Sequence, residues 1–336
     1  MKGKRVDVEA IRAAVKGFLA KEGRLAFGFV ESNGGVRLQI QRTEPRDLTL
    51  FNPYFDLNGV LYLRRFFSKD ARILAILRPC EIRAYMELTK LTQVERTSII
   101  AVSVDCFGSV PSKEDLKLPL GEPLALKSAL EASGKVRYAC TLCREPRGVL
   151  GDAGVRVDAE GKLWAQAYTP IGEEFLELLD SSEETAPDSF AIAGGRPGDR
   201  FQSDMETFSK DFAKCIMCMN CRDVCPVCYC IDCVFQGDEY VPKGDAFINK
   251  VFRMGDTALP LGKEIFHFIR MYHVSQTCVG CGACEEACPQ RIPVTKYMKG
   301  TSERLQALFS YMSGRSFDEA IPYLTFIEDE LKDAED

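Results

Sequence analysis

The chain has 336 residues, a formal net charge of −6 and a pI near 5.3, with 46% hydrophobic and 27% charged residues. That length holds two modest domains with a real core, and the acidity argues against a nucleic-acid backbone as partner, which calls for a basic stripe. The longest apolar runs, such as "RILAIL" and "SIIAVSV", fall far short of the ~20 residues a membrane helix needs, so no bilayer span is expected.

The first residues are basic, but Val8, Ile11, Val15, Phe18 and Leu19 recur at helical spacing and are interrupted by charge, which predicts an amphipathic helix rather than a signal-peptide core. A cytoplasmic location is therefore expected. "RLAFGFVESNGGVRLQIQR" predicts a hairpin turning at Asn33 and Gly34. "RILAILRPC" and "SIIAVSVDC" are β-branched apolar runs, each followed at once by a cysteine, and "EIRAYMELTKLTQVER" between them reads as a helix. Strand, helix, strand implies a parallel pair with Cys80 and Cys106 just past the carboxyl ends of adjacent strands, the edge where open α/β sheets place ligands. A third lead-in, "KVRYACTLC", delivers Cys140 and Cys143. Spacing alone allows these four to be small buried hydrophobes, and Trp164 reads as core. No G-x-G-x-x-G follows a strand, so a Rossmann dinucleotide site is unsupported.

Residues 180–200 collect Ser, Glu, Pro and Gly like a linker. Beyond it, "GKEIFHFIRMYHVSQTC" predicts a helix whose apolar face is Ile265, Phe268, Ile269 and Tyr272. His267 and His273, six apart, do not share a helix face and read as packing or surface residues rather than ligands.

Fifteen cysteines without an export signal point to metal rather than disulfides. "CIMCMNCRDVCP" and "CVGCGACEEACP" both follow C-x2-C-x2-C-x3-C-P, a run that gives three ligands to one cubane and its fourth to the neighbouring one. By that rule Cys215, Cys218, Cys221 and Cys288 hold one [4Fe-4S] cluster, and Cys278, Cys281, Cys284 and Cys225 hold a second. Cys228, Cys230 and Cys233 are left over: they could take a fourth ligand from elsewhere, hold zinc with a non-cysteine ligand, exchange roles with Cys225, or pack.

The leading helix and second run are similar to the iron–sulfur subunits of heterodisulfide-reductase-like and succinate-dehydrogenase-like complexes, which implies docking within an assembly. In the first half, "RPCEIRA", "SVDCFGS" and "YACTLCREPRGVLGDAG", followed by "KLWAQAYTPIGEEFLELL", resemble the coenzyme F420 hydrogenase/dehydrogenase beta subunits, which include formate dehydrogenase beta subunits. The resemblance covers roughly residues 55–180. It implies FAD and a third [4Fe-4S] cluster on Cys80, Cys106, Cys140 and Cys143, and it places Asn58 and Arg83 near the flavin.

The expected architecture is an α/β (α+β) flavin and iron–sulfur core over residues 1–190, a linker over 191–200, a mainly helical two-cluster ferredoxin domain over 201–300 and a helical extension over 301–336. The expected function is an electron-transfer subunit linking FAD through three clusters, or four if the leftover trio holds one, to a hydrogenase, formate dehydrogenase or heterodisulfide-reductase-like partner. A self-sufficient oxidoreductase of reduced deazaflavin or NADH and a flavin-free wiring subunit are the rivals. Nothing in the chain supplies a nucleophile elbow, a paired-carboxylate site or a phosphate loop, so the chemistry falls to cofactors.

Overall fold

The computed structural model describes residues 2–32, 35–43, 48–66, 71–112, 114, 116–196, 204–237, 244–255 and 262–326. Its strands are β1 (Lys2–Val6), β2 (Arg24–Ser32), β3 (Gly35–Gln41), β4 (Leu48–Thr49), β5 (Tyr54–Phe55), β6 (Arg72–Leu77), β7 (Ile99–Val104), β8 (Val110–Pro111), β9 (Ala153–Val157), β10 (Leu163–Ala167) and β11 (Glu183–Thr185). Except for β5 and β8, which pair with each other, they form one mixed sheet in the order β11-β1-β10-β9-β7-β6-β2-β3, with β4 beside β2.

The centre of this sheet, β2, β6, β7 and β9, is parallel. Every residue of β7 and all but the first of β6 is buried, as parallel strands covered on both faces require. Alternation sorts their side chains: Leu74, Ile76, Ile100 and Val102 pack with the helix Val8–Leu19, whereas Ile73, Ala75, Leu77 and Ile99 pack with the helix Pro79–Lys90. The predicted strand, helix, strand unit is thus the middle of the sheet. The β2–β3 hairpin is present, with Ser32 opposite Gly35; its expected turn, Asn33 and Gly34, lies outside the described residues. Trp164 is buried and donates from Nε1 to Asp158 Oδ2 at 2.9 Å, a structural role.

Among the described residues after 204 there are helices and no strands. The helix Lys263–Val274 forms as expected but buries the other face: Phe266, His267, Arg270, Met271 and Val274 point inward, while Ile265 and Tyr272 are exposed and Phe268 stacks on Phe208. The inward stripe mixes charge with apolar residues, so hydrophobic periodicity alone selects the wrong face. Two expected boundaries are also modified. Residues 191–196 of the linker lie against the core, where Ile192 is buried and Ala191 N donates to Val157 O; residues 197–200 lie outside the described set. The helix Val294–Leu308 runs through position 300, and residues 309–326 carry only a short 3-10 turn, Pro322–Leu324, rather than a further helix.

That terminal segment folds back onto the helix Pro79–Lys90. Arg83 donates from Nε to Ser313 O at 2.8 Å and from Nη1 to Val279 O at 3.2 Å. The buried Glu87 accepts from Tyr311 Oη at 2.7 Å and from Gly314 N at 2.6 Å, and pairs with Lys90 at 2.7 Å. Burial pushes the Glu87 carboxyl up, and Lys90 with these hydrogen bonds opposes that shift.

Gly314 has φ +70°, and a Cβ there would lie 2.4 Å from Arg83 Cβ and 2.5 Å from its Cα. Gly314→Ala is therefore expected to cost about 2 kcal/mol or more through a left-handed backbone and a collision that rotamer change cannot relieve. The check is the denaturation midpoint of anaerobically prepared protein, and an unchanged midpoint would mean that the seam yields.

Candidate metal centres

Cys80, Cys106, Cys140 and Cys143 line a single cavity at the carboxyl edge of β6 and β7. Each is set by local bonding. Cys80 opens the helix Pro79–Lys90, whose entry is locked because Glu81 accepts from Arg78 N at 3.0 Å and from Gly59 N at 2.9 Å. Cys106 follows β7, where the Asp105 carboxylate accepts from Gly148 N at 2.7 Å and Val157 N at 3.0 Å, and Cys106 N donates to Pro146 O at 2.8 Å. Cys140 lies in a single helical turn, Tyr138–Thr141, with Ser109 Oγ 3.3 Å from its Sγ, and Cys143 follows just past that turn, its N donating to Cys140 O at 3.2 Å.

Burial, with Cys140 nearby, pushes the Cys106 thiol up to about 12 despite Arg78. Burial also raises Cys80 and Cys143. Such thiols ionise only when a cation takes the proton's place. Arg78, Arg137, Arg196 and Lys299 line the same cavity, so the donor set is four thiols within a cationic wall, which fits an anionic thiolate-bound cubane. Arg196 comes from the expected linker and donates to Cys140 O at 3.0 Å and to Phe107 O. Sequence reasoning missed it because an arginine in a Gly/Pro-rich stretch has no periodic signature.

In the second half the two cysteine runs interlock. Burial raises Cys221, with Cys215, Cys288 and Cys218 close enough to add to it. Burial likewise raises Cys284, with Cys225, Cys281 and Cys278 as its thiol neighbours. Each run's fourth cysteine therefore sits with the first three of the other run. The backbones also match: Met217 and Met219 in the first run and Gly280 and Gly282 in the second flank the middle cysteine with positive φ, from 55° to 72°. A chain that curls around a compact centre and turns its N–H groups inward needs such angles. Glycine takes them freely, and the two methionines carry strain that something at the centre must offset. Met217 N already donates to Cys215 Sγ at 3.4 Å.

The helix Lys263–Val274 supplies the groups between the runs. Arg270 is 2% exposed and donates from Nη2 to Cys221 O at 3.0 Å, while its Nε and Nη1 are buried without a hydrogen-bond partner among the described residues. Cys221, Cys284, Cys225 and Cys228 all lie within its electrostatic reach. Two unmet N–H groups on a buried cation cost several kcal/mol unless they meet an acceptor, and the sulfur atoms of clusters on these cysteines are suitable acceptors. His267 lies with Nε2 3.4 Å from Cys215 Sγ, and burial, reinforced by Arg270, pushes its imidazole down to about 3, so it is neutral. His273 is exposed.

Asn58 and Arg83, the residues expected near a flavin, instead lie at the seam between the halves. Asn58 is fully buried, accepting from Val60 N at 3.2 Å and reaching Cys80 O at 3.4 Å, and the Arg83 donors are spent on Ser313 and Val279. Neither lines the cysteine cavity. Cys281 does line it, and Arg137 crosses the same gap, donating to Cys281 O at 3.0 Å and Glu286 Oε1 at 2.8 Å. Cys228, Cys230 and Cys233 line a separate pocket. Among the described residues no three His, Cys, Asp or Glu side chains draw together tightly enough to grip one metal ion, and no helix is long and apolar enough to cross a membrane.

Residues 211–292 match the family model of the 4Fe-4S dicluster domain, a span that contains both runs. The chain is similar to the F420-dependent formate dehydrogenase subunit beta of Methanocaldococcus jannaschii, 25% identical and covering 78% of each chain. It is also similar to the F420-dependent formate dehydrogenase 1 subunit beta of Methanococcus maripaludis, 27% identical over 77% of this chain and 76% of that one. The resemblance carried by the four core cysteine motifs thus extends over most of the chain. A chain of the F420-reducing [NiFe] hydrogenase complex from Methanosarcina barkeri is 14% identical over 55% of this chain and 80% of that one, with a TM-score of 0.38, too low to bear on the fold.

Replacing the buried guanidinium by an apolar group removes one positive charge beside both runs of the dicluster domain. Arg270→Met is expected to lower the reduction potentials of both its clusters by at least one tenfold step, about 59 mV for one electron. Anaerobic EPR-monitored redox titration checks this, and unchanged potentials with intact clusters would remove Arg270 from the tuning role.

Proposed function

We propose that this chain is the electron-transfer subunit of a multi-subunit oxidoreductase and arranges three [4Fe-4S] clusters in a line: Cys80, Cys106, Cys140 and Cys143; then Cys278, Cys281, Cys284 and Cys225; then Cys215, Cys218, Cys221 and Cys288. The observation that carries this reading is Cys281, which belongs to the second run yet lines the core cavity and lies within electrostatic reach of Cys80. Such clusters supply one-electron transfer, with potentials set by hydrogen bonds, burial and charge.

The protein's own part is to hold the centres close and dry. Arg137 ties Cys281 O and Glu286 to the rim of the core cavity and stacks over Phe55 at 3.6 Å, which places side chains between the halves. Arg270 sits between the two dicluster sets. At the far end Cys218 and Ile216 are exposed, a suitable exit toward a partner. The relatives are named as subunits of formate dehydrogenase, which supports an oxidoreductase assembly; a hydrogenase, formate dehydrogenase or heterodisulfide-reductase-like subunit completes the path. The F420 in those names makes a reduced deazaflavin the leading two-electron donor.

The resemblance also implies FAD as the converter between two-electron and one-electron chemistry. Asn58 and Arg83 are engaged with protein, so they do not fit that role, and no residue of this chain is assigned to the flavin.

Anaerobically purified protein is expected to carry at least about twelve iron and twelve acid-labile sulfide, four for each of three cubanes. Cys140→Ser is expected to remove about four of each and to leave the dicluster EPR signals in place; a wild-type count near eight would remove the core cluster. Flavin analysis of the same material decides the converter: about one FAD per chain supports it, and none makes the chain a wiring subunit. Rapid turnover of reduced deazaflavin or NADH with a soluble acceptor by the lone chain would overturn the subunit reading.

A further inference from the structure

We propose that Cys228, Cys230 and Cys233 hold an additional [4Fe-4S] cluster at the surface, with the Asp223 carboxylate facing its fourth iron. The inference rests on the cluster-carrying reading above but on different residues. The three thiols, five to ten residues beyond Asp223 in a loop that runs past Cys225, line one pocket together with Asp223, Arg64 and Arg222.

Packing accounts for part of one of them, Cys233, which lies against the cluster of Phe235 and Phe266, but not for the trio. Cys230 is exposed and Cys228 and Cys233 are half-buried, whereas cysteines that act as small hydrophobes are buried in apolar surroundings. The loop is nonetheless pinned at each thiol. Arg64 Nη1 donates to Cys228 O at 2.6 Å. Tyr229 packs against the side chains around Leu91 and Tyr311, at the seam between the halves. Arg222 reaches the Cys233 side chain.

The pocket is also built for an anion. The Arg222 side chain is only 10% exposed and pairs with Asp223 Oδ1 at 2.5 Å, yet its Nη1 is buried without a hydrogen-bond partner among the described residues. A buried guanidinium N–H without an acceptor indicates a missing one, and bridging sulfides of a thiolate-bound cluster are acceptors of the right charge. A single zinc ion needs its ligands drawn together at about 2.3 Å from one point, and these thiols ring the pocket without converging. A cubane, whose ligands stand on separate corners, suits that spread.

The position has a consequence for the path. Cys225, assigned to the cluster with Cys278, has Cys228 as its first thiol neighbour. The middle cluster is then a junction: the core meets it at Cys281, the other dicluster centre meets it across Arg270, and the surface centre meets it across Cys225. A corner bound by carboxylate in place of thiolate is the one that loses iron most readily to a mild oxidant.

The test uses the full chain purified anaerobically. Wild-type protein is expected to hold about sixteen iron and sixteen sulfide, and the triple variant Cys228→Ala/Cys230→Ala/Cys233→Ala about twelve. Ferricyanide is expected to produce a [3Fe-4S] EPR signal in the wild type that the triple variant lacks. Should the triple variant not fold, Asp223→Cys serves instead: it is expected to keep the iron and to abolish the signal. About twelve iron in the wild type, with no such signal, overturns the proposal and leaves the three-cluster reading intact, and one zinc per chain in its place overturns it equally. A count near eight sinks the three-cluster reading itself.

Discussion

One face of one helix holds the two halves in register. In the helix Pro79–Lys90, Cys80, Arg83, Glu87 and Lys90 recur at three- and four-residue intervals and so point the same way. Cys80 lines the core cavity. Arg83 and Glu87 bind the backbone at Val279, Ser313 and Gly314, and Lys90 closes the pair with Glu87. Because Val279 lies in the second cysteine run, the same contacts that anchor the C-terminal segment bring Cys281 to the wall of the core cavity. These are buried charges, and removing one partner would leave the other unpaired at a cost of about 3–5 kcal/mol. The proposed electron path therefore depends on this polar seam together with the apolar contacts of Val279, Tyr229 and Phe317 across it.

Charge organises the rest. Thiols crowded together in low dielectric resist ionisation, as the upward shifts of Cys80, Cys106, Cys221 and Cys284 express. The fold answers mainly with buried arginines, Arg78 and Arg137 at the core cavity and Arg270 between the runs, with Lys299 the one buried lysine named at the core cavity. A guanidinium stays charged when buried and can donate along several directions at once, which suits it to bond a backbone carbonyl with one nitrogen and face a sulfur-rich centre with the others. Arg137 does the first with Cys281 O, and Arg270 with Cys221 O.

Much was legible in the sequence. The apolar runs of β6 and β7, the helix between them and the cysteines at their ends follow from local pattern, because a parallel strand buried on both faces must be apolar throughout. The repeated cysteine spacing defines the dicluster domain, since ligand order along a short run is a local property. The pattern failed where burial serves a polar centre. The helix Lys263–Val274 turns Arg270 and His267 inward and leaves Ile265 and Tyr272 outside, the reverse of what hydrophobic periodicity selects. Arg83 directs its donors to the opposite half of the chain, and Asn58 bonds within the core at Cys80 O, contacts that no local pattern announces.

The sequence by itself determined which atoms are available: fifteen thiols, two matching runs and an α/β core with cysteines at its strand ends. Beyond the crossed pairing of the two runs, only the tertiary structure decided which of them meet. The approach of Cys281 to Cys80 and the entry of Arg196 into the core cavity join residues about fifty to two hundred positions apart. Spacing reports what one or two turns of backbone can bring together. Contacts at that separation depend on how whole elements pack, and here a few buried ion pairs and hydrogen bonds across the seam set that packing.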